Sequence, residues 1–212
     1  MTAVIAAAGS GERLGAGGPK AFVPLGGRPM IAWSLDACLS CGSVTAVVVA
    51  VPAGHAHDLQ DVVTVEGGST RAESVANALG AVDTDLVAIH DAARPLLTPE
   101  LLDELVAELV ANPDADGIIA AAPVTDTVKK VDGDRIAATL DRSELWGAQT
   151  PQVFRTAALR SALRSADLAT DEAMLIEAAG GTVLVHDAGI ANLKVTTPTD
   201  LRVAELLLGR GR

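Results

Sequence analysis

Ala3-Val4-Ile5-Ala6-Ala7-Ala8 is an unbroken apolar run. It opens directly into Gly9-Ser10-Gly11-Glu12-Arg13-Leu14-Gly15-Ala16-Gly17-Gly18-Pro19-Lys20. A short apolar run bounded by glycine reads as a strand buried on both faces. The pattern then repeats along the chain. After the Gly26-Gly27 turn, Pro29 starts a helical pattern through Met30, Ile31, Trp33, Ser34, Leu35, Ala37 and Cys38. Val44–Val51 reads as a second buried strand and Val62–Val65 as a third, ending at Gly67-Gly68. Arg71–Leu79 has helical spacing, with Val75, Ala78 and Leu79 on one face. Leu86–Ile89 is a strand running into His90-Asp91. Thr98 and Pro99 supply an N-cap and a first helical residue for a helix continuing through Leu101–Val110. Gly117–Pro123 is another apolar strand. Apolar strands alternating with helices specify an α/β fold with a doubly wound, mostly parallel sheet covered on both faces. Its ligand belongs beyond the C-terminal ends of the strands.

The alternation breaks at residues 124–147. Thr125-Asp126-Thr127-Val128-Lys129-Lys130-Val131 alternates polar and β-branched residues, Asp132-Gly133 is a turn signal, and Arg135–Leu140 reads as the return strand. This is a β-hairpin too polar for the core. It projects either as a dimerisation arm or as a solvated excursion, and the residues alone weigh these equally. The α/β pattern then resumes with helices over Ala157–Ala166 and Asp171–Ala179, strands at Thr182–His186 and near Ala191–Val195, and a helix over Thr199–Leu208. Thr170 or Asp171 caps the second of these helices. No linker or repeat divides residues 1–212, which read as a single domain.

The chain has 212 residues, 49% of them hydrophobic and 2% aromatic, and its formal net charge is -11. Such apolar content excludes disorder. An acidic, aromatic-poor chain is a poor partner for long nucleic acids, although a small anion needs only a few local cations. The short apolar N-terminus lacks a basic region, and no apolar stretch approaches the ~20 residues of a membrane span. A soluble cytoplasmic protein with no membrane or nucleic-acid partner is expected. Cys38 and Cys41 form a C-x-x-C near the end of a helix, where a structural role outweighs a redox or metal one. His55 and His57 read as a solvated helix start rather than a metal pair.

The Gly-rich loop carries the chemistry. Glycine and alanine let the backbone approach a ligand, consecutive N–H groups cradle phosphate oxygens, and Arg13 and Lys20 add charge-assisted bonds. It is not a Walker A loop, because Ala21 follows Lys20, and it lacks the third glycine of the dinucleotide fingerprint.

These residues resemble the N-terminal signature of nucleotidyltransferases, and later blocks narrow the resemblance. They are Gly67-Gly68-Ser69-Thr70-Arg71-Ala72-Glu73-Ser74-Val75, His90-Asp91-Ala92-Ala93-Arg94-Pro95 and Asp126-Thr127-Val128-Lys129, then Asp141-Arg142, Gln149-Thr150-Pro151-Gln152, Thr170-Asp171-Glu172-Ala173 and Lys194-Val195-Thr196. In this order the chain resembles the 2-C-methyl-D-erythritol 4-phosphate cytidylyltransferases over essentially its whole length. Ala21 and Ala72 depart from the family, which often has glutamine at both positions. The resemblance implies a Rossmann-like nucleotidyltransferase fold that transfers CMP from CTP to 2-C-methyl-D-erythritol 4-phosphate and releases pyrophosphate. This step of non-mevalonate isoprenoid biosynthesis proceeds by direct in-line attack. It further implies Arg13 and Lys20 as catalytic cations and Asp91 as the carboxylate for Mg2+ or another divalent cation. Ala7, Ala8, Gly9, Ser10, Gly11, Gly68, Arg71, Ser74 and Lys194 would bind nucleotide. Arg94, Thr127 and Arg142 would bind the second substrate, and residues 124–147 would be an arm making a homodimer with shared sites. A ribitol 5-phosphate cytidylyltransferase and a non-catalytic nucleotide sensor on the same fold are the competing readings. With so few aromatics, cytosine is expected to be read by backbone groups and the Ser74 hydroxyl. A fused second enzyme is not expected at this length.

Overall fold

The computed structural model describes residues 1–9, 11, 14, 18–55, 59, 62–164 and 171–210. Its centre is a seven-stranded sheet. In chain order the strands of that sheet are β1 (Thr2–Ala6), β4 (Ala46–Val51), β5 (Val63–Glu66), β6 (Leu86–Asp91), β7 (Gly117–Pro123), β10 (Trp146–Arg155) and β11 (Val183–Asp187). Across the sheet the order is β11-β7-β10-β6-β1-β4-β5. β10 runs antiparallel to both β6 and β7, and every other pairing is parallel.

Strict alternation along the strands sorts side chains onto two faces. Ala3, Ile5 and Ala7 at the start of the chain pack with α1 (Met30–Ser40) and α3 (Pro99–Ala111) through Ile31, Cys38, Leu102, Leu105 and Leu109. Val4 on the opposite face packs with α2 (Arg71–Leu79), α4 (Thr156–Leu163) and α5 (Glu172–Ala178) through Val75, Leu79, Leu159 and Ile176. The sheet is therefore doubly wound, as the apolar runs require. A third small core joins Leu14, Leu25, Met30, Val195 and Ala204, the last of these from α6 (Pro198–Arg210). It ties the N-terminal loop to the segment that carries Lys194.

Helix ends follow local chemistry. Thr98 caps α3 with Pro99 in its first turn. Thr70 and Glu73 form a capping box on α2. Asp171 caps α5 by accepting from Met174 N at 3.0 Å, and Thr170 lies outside the described residues.

Several expectations are corrected. The Ala191–Val195 segment is not a strand, because its backbone bonds go to the loop after β6: Val195 N donates to Ala93 O at 2.8 Å. Pro29 belongs to a two-residue strand, β3 (Arg28–Pro29), paired with β2 (Pro24–Leu25), so the helix begins one residue later. Strand β10 occupies what reads in the sequence as the end of a polar break and a motif. Polar Gln149, Thr150 and Gln152 hide its period, yet all three are buried, with hydrogen bonds to Gly189 O, Asp91 N and Asp171 Oδ2 respectively.

The projecting hairpin is present as β8 (Lys129–Asp132) and β9 (Arg135–Thr139), which pair with each other as a separate two-stranded sheet. Its turn is Gly133-Asp134, one residue later than expected, with Gly133 at φ +61° as a tight hairpin loop requires. Cys38 and Cys41 are buried free thiols, and burial pushes Cys38 up to about 12, which fits the structural reading. His55 stacks on Phe22 with ring centroids 5.2 Å apart, and His57 lies outside the described residues.

Candidate active site

β1 sends α1 to one face of the sheet, and β5 returns through α2 on the other, so the crossover reverses between β1 and β6. Ligands collect at such a switch point. Ala6 and Asp91 face each other across it in register. A cavity of about 680 Å³ opens there, within the range of small-molecule sites. Ala7, Ala8, Gly9, Gly11 and Lys20 form one wall, Gly68, Arg71 and Ser74 a second, and Asp91 and Lys194 the floor. Ser69, Thr70 and Thr196 also line it, and the sequence reading missed them. No aromatic ring occurs among the described lining residues.

Two backbone bonds join the described residues of the N-terminal segment. Leu14 N donates to Gly11 O at 2.9 Å and Lys20 N to Gly9 O at 3.2 Å. Leu14 is anchored in the third core, and Lys20 lines the cavity at the start of the short turn Lys20–Phe22. Arg13 and Ser10 lie outside the described residues.

The second wall is set by close packing. A Cβ on Gly67 would fall 2.3 Å from Ala8 Cβ, so only glycine lets the two walls approach this closely. Ser74 Oγ donates to Thr70 O at 2.9 Å and accepts from Gly68 N at 3.1 Å. The hydroxyl thus orders the loop around Gly68, which accords with a structural role.

Asp91 is the electrostatic centre. Its side chain is 10% exposed, and it accepts from Arg71 Nε at 2.9 Å and from Lys194 Nζ at 2.6 Å. Burial alone would raise its carboxyl, but the two cations outweigh burial and hold it well below the usual range. Arg71 reaches on to Glu172, whose two oxygens accept from Nη1 at 2.7 and 2.8 Å. Burial pushes the Glu172 carboxyl up, and Arg71 opposes that shift. Arg71 itself is lowered by burial and raised more strongly by its two carboxylates. Behind Asp91, Thr150 Oγ1 accepts from Asp91 N at 3.0 Å and lies 3.2 Å from His90 Nδ1. His90 is fully buried, and burial pushes it down to about 4.

Arg94 is separate from this cluster. Its Nη1 donates to Asn192 O at 2.7 Å and its Nη2 to Ala148 O at 3.4 Å, so it braces backbone instead of pairing with Asp91. It backs a shallower recess of about 360 Å³ at the root of the hairpin, together with Thr125, Asp126 and Gln149. Thr127 and Arg142 are exposed and are not among the described residues lining either space. Arg142 Nη1 donates to Thr125 O. One chain therefore gathers the described nucleotide residues around the cavity, holds Arg94 at the root of the hairpin, and leaves Thr127 and Arg142 along the arm.

Glu172 stands in one of the motif blocks without an expected role. A signal for it is present: with Leu175 and Ile176 at i+3 and i+4, it falls on the buried face of an amphipathic helix.

A doubly wound sheet with a Gly-rich first loop, an arginine and a lysine on one buried carboxylate, a second lysine on the wall, and a cavity of nucleotide size define a nucleotidyltransferase. The family model of 2-C-methyl-D-erythritol 4-phosphate cytidylyltransferase matches residues 1–210. An Azoarcus sp. (strain BH72) protein of that name is 44% identical over 97% of this chain and 93% of its own length. The crystal structure of 2-C-methyl-D-erythritol 4-phosphate cytidylyltransferase from Thermus thermophilus superposes with a TM-score of 0.83 at 32% identity, covering 97% of this chain and 98% of the other. The 4-diphosphocytidyl-2C-methyl-D-erythritol synthase of Anaerococcus prevotii DSM 20548 gives 0.85 at 27% identity, covering 99% and 98%. The chain belongs to the 2-C-methyl-D-erythritol 4-phosphate cytidylyltransferase family.

Proposed function

We propose that this enzyme transfers CMP from CTP to 2-C-methyl-D-erythritol 4-phosphate, forming 4-diphosphocytidyl-2-C-methyl-D-erythritol and pyrophosphate. Family membership supports the reaction. The observation that carries it to this chain is the meeting of Lys20, Arg71, Lys194 and Asp91 around one cavity at the switch point. A phosphate oxygen of the sugar substrate attacks the α-phosphorus of CTP, and the bond to the pyrophosphate oxygen breaks. No enzyme nucleophile is needed, so the protein contributes position and charge.

Lys20 stabilises the charge that builds on the α-phosphate and the leaving pyrophosphate, with Arg13 of the same loop as its partner. The loops at Gly9–Gly11 and Gly68 hold the triphosphate and read cytosine through backbone groups. Ser74 acts there by fixing the Gly68 turn. Lys194 lies on the cavity floor, where it can pass from Asp91 to a phosphate. Arg94, Thr127 and Arg142 serve the second substrate. Because Thr127 and Arg142 lie along the arm, we assign them to the site of a neighbouring copy in a homodimer.

The donor set at Asp91 suits Mg2+. A single carboxylate at a phosphate site is enough for an ion that takes its other ligands from phosphates and water. Among the described residues no group of three or more His, Cys, Asp or Glu is placed to hold a metal, and in this reading phosphate oxygens of the nucleotide would supply the further ligands. When bound, the ion would neutralise triphosphate charge and orient the pyrophosphate as a leaving group. No described helix is long and apolar enough to cross a membrane. A cytoplasmic location accords with CTP as a substrate and with two free thiols.

Pyrophosphate release tests the reading. With CTP and Mg2+, release is expected with 2-C-methyl-D-erythritol 4-phosphate and not with ribitol 5-phosphate. Release only with the ribitol ester would overturn the substrate, and release with neither would point to a nucleotide sensor.

A further inference from the structure

Glu172 does not line the cavity, yet its side chain is only 2% exposed. Its helical neighbours Ala173, Leu175 and Ile176 are buried and apolar. A carboxylate in such a place is costly to desolvate, and exchanging a buried ion pair for apolar side chains is often neutral or stabilising. Stability alone therefore does not account for it. Its contacts do.

Both Glu172 oxygens take the same nitrogen of Arg71, Nη1. The guanidinium then meets Asp91 through Nε alone, on Oδ1. An arginine beside a carboxylate commonly takes both oxygens through two parallel N–H bonds. Attachment at two points, Nη1 on Glu172 and Nε on Asp91, fixes the plane of the guanidinium and restricts it to one Asp91 oxygen. The other, Oδ2, faces Lys194 Nζ at 2.6 Å. Lys194 is the most exposed member of the cluster, at 42% against 27% for Arg71, and the one with room to withdraw.

We infer that Glu172 is a positioning residue for Asp91: by pinning Arg71 it keeps Oδ2 clear of the guanidinium and open to the divalent cation that arrives with nucleotide. This rests on the reading of Asp91 as the metal-binding carboxylate. Glu172 touches neither substrate nor metal and acts through Arg71.

The test uses the full chain saturated with α,β-methylene-CTP and titrated with Mn2+, the free ion being read by electron paramagnetic resonance. Asp91→Asn defines the Asp91-dependent affinity. Glu172→Gln is expected to weaken Mn2+ binding by about tenfold or more, the usual effect of removing a group that orients a metal ligand. Glu172→Asp keeps the charge but shortens the reach to Arg71. It is expected to show a similar loss, and it serves as the folded comparison if the glutamine variant does not fold. In an Arg71→Met background, Glu172→Gln should add nothing. Wild-type affinity in both Glu172 variants would overturn the inference. So would an equal loss with and without Arg71, because the carboxylate would then act by its own charge. An affinity indifferent to Asp91→Asn would overturn the metal reading and this inference together.

Discussion

Around Asp91, charged groups from β6, α2, α5 and the segment before α6 meet within hydrogen-bonding distance, and both carboxylates are nearly enclosed. In the hairpin arm every residue from Lys129 to Thr139 faces solvent, including Val131 and Ile136, which are 61% and 65% exposed and pair across the strands. The first region is complete within one chain, since its donors and acceptors answer one another. The second exposes apolar side chains, and a lone two-stranded hairpin is at best marginally stable in water. The difference teaches where to look for what a single chain lacks. The charged groups around Asp91 meet within one chain, whereas the arm leaves Val131 and Ile136 uncovered, and in the reading proposed above a second copy covers them.

Lys20→Ala should give the largest effect. A cation aimed at charge that develops only in the transition state contributes ~3–4 kcal/mol, so kcat should fall by about 10²–10³. CTP affinity, measured by calorimetry without the second substrate, should change little. Equal losses in kcat and affinity would reduce Lys20 to a ground-state ligand.

Acid should also distinguish the two regions. His90 is buried behind Asp91 and pushed down to about 4 by burial, while in an unfolded chain it titrates near ~6.5. Between those values the unfolded chain binds more protons than the folded one, so stability falls as pH drops through that window. The loss is at most ~3 kcal/mol. Asp91 is held below its ordinary range and keeps stabilising through the window, losing that contribution only in stronger acid. Urea unfolding at pH 7 and 4.5 should show the decline, and substitutions in the arm should leave it unchanged. A flat profile would mean that His90 is not held neutral.

The arm yields a prediction of the opposite kind. Ile136→Asp should leave the fold of the chain intact and weaken self-association. An uncovered isoleucine contributes roughly 1.5–3 kcal/mol when buried, about 10–100-fold in the dimer constant by sedimentation. If Arg142 serves the neighbouring site, mixing Lys20→Ala with Arg142→Ala protomers restores activity. Half of randomly mixed dimers are hybrids with one intact site, so about a quarter of the wild-type rate is expected. No recovery after exchange would return Arg142 to its own chain.

The contrast also governs what is legible in the sequence. Ala3–Ala8, Val44–Val51 and Gly117–Pro123 declare buried parallel strands because both of their faces are covered, and no polar side chain interrupts their cores. The arm is equally readable, since an exposed hairpin follows local turn and alternation rules. What stays hidden lies between. Trp146–Arg155 is a central strand, but its inward side chains include Gln149, Thr150 and Gln152, whose partners come from β6, α5 and the loop near Gly189. A buried polar strand looks like a loop until those partners are known. Glu172 is hidden for the same reason. An acidic residue in the first turn of a helix reads as a favourable end charge, and only its distance to Arg71 gives it a further role. The extended segment around Lys194 is held by Ala93 and by Val195 packing in the third core, not by a sheet, so no strand rule applies to it.

The smallest expected effect probes the join between the nucleotide wall and its supports. Ser74 Oγ holds Gly68 N and Thr70 O together, and Gly67 packs directly on Ala8. Ser74→Ala removes both bonds and leaves the Gly68 amide facing the cavity without its partner. One such bond contributes ~1 kcal/mol, so the KM for CTP should rise several-fold with kcat nearly unchanged. Discrimination against UTP separates two ways this can happen. If Ser74 only fixes the loop, CTP and UTP lose affinity together and their ratio stays constant. If the hydroxyl itself reads the base, the ratio falls. Its two hydrogen bonds within the loop favour the first outcome, and a collapse of CTP preference would overturn it.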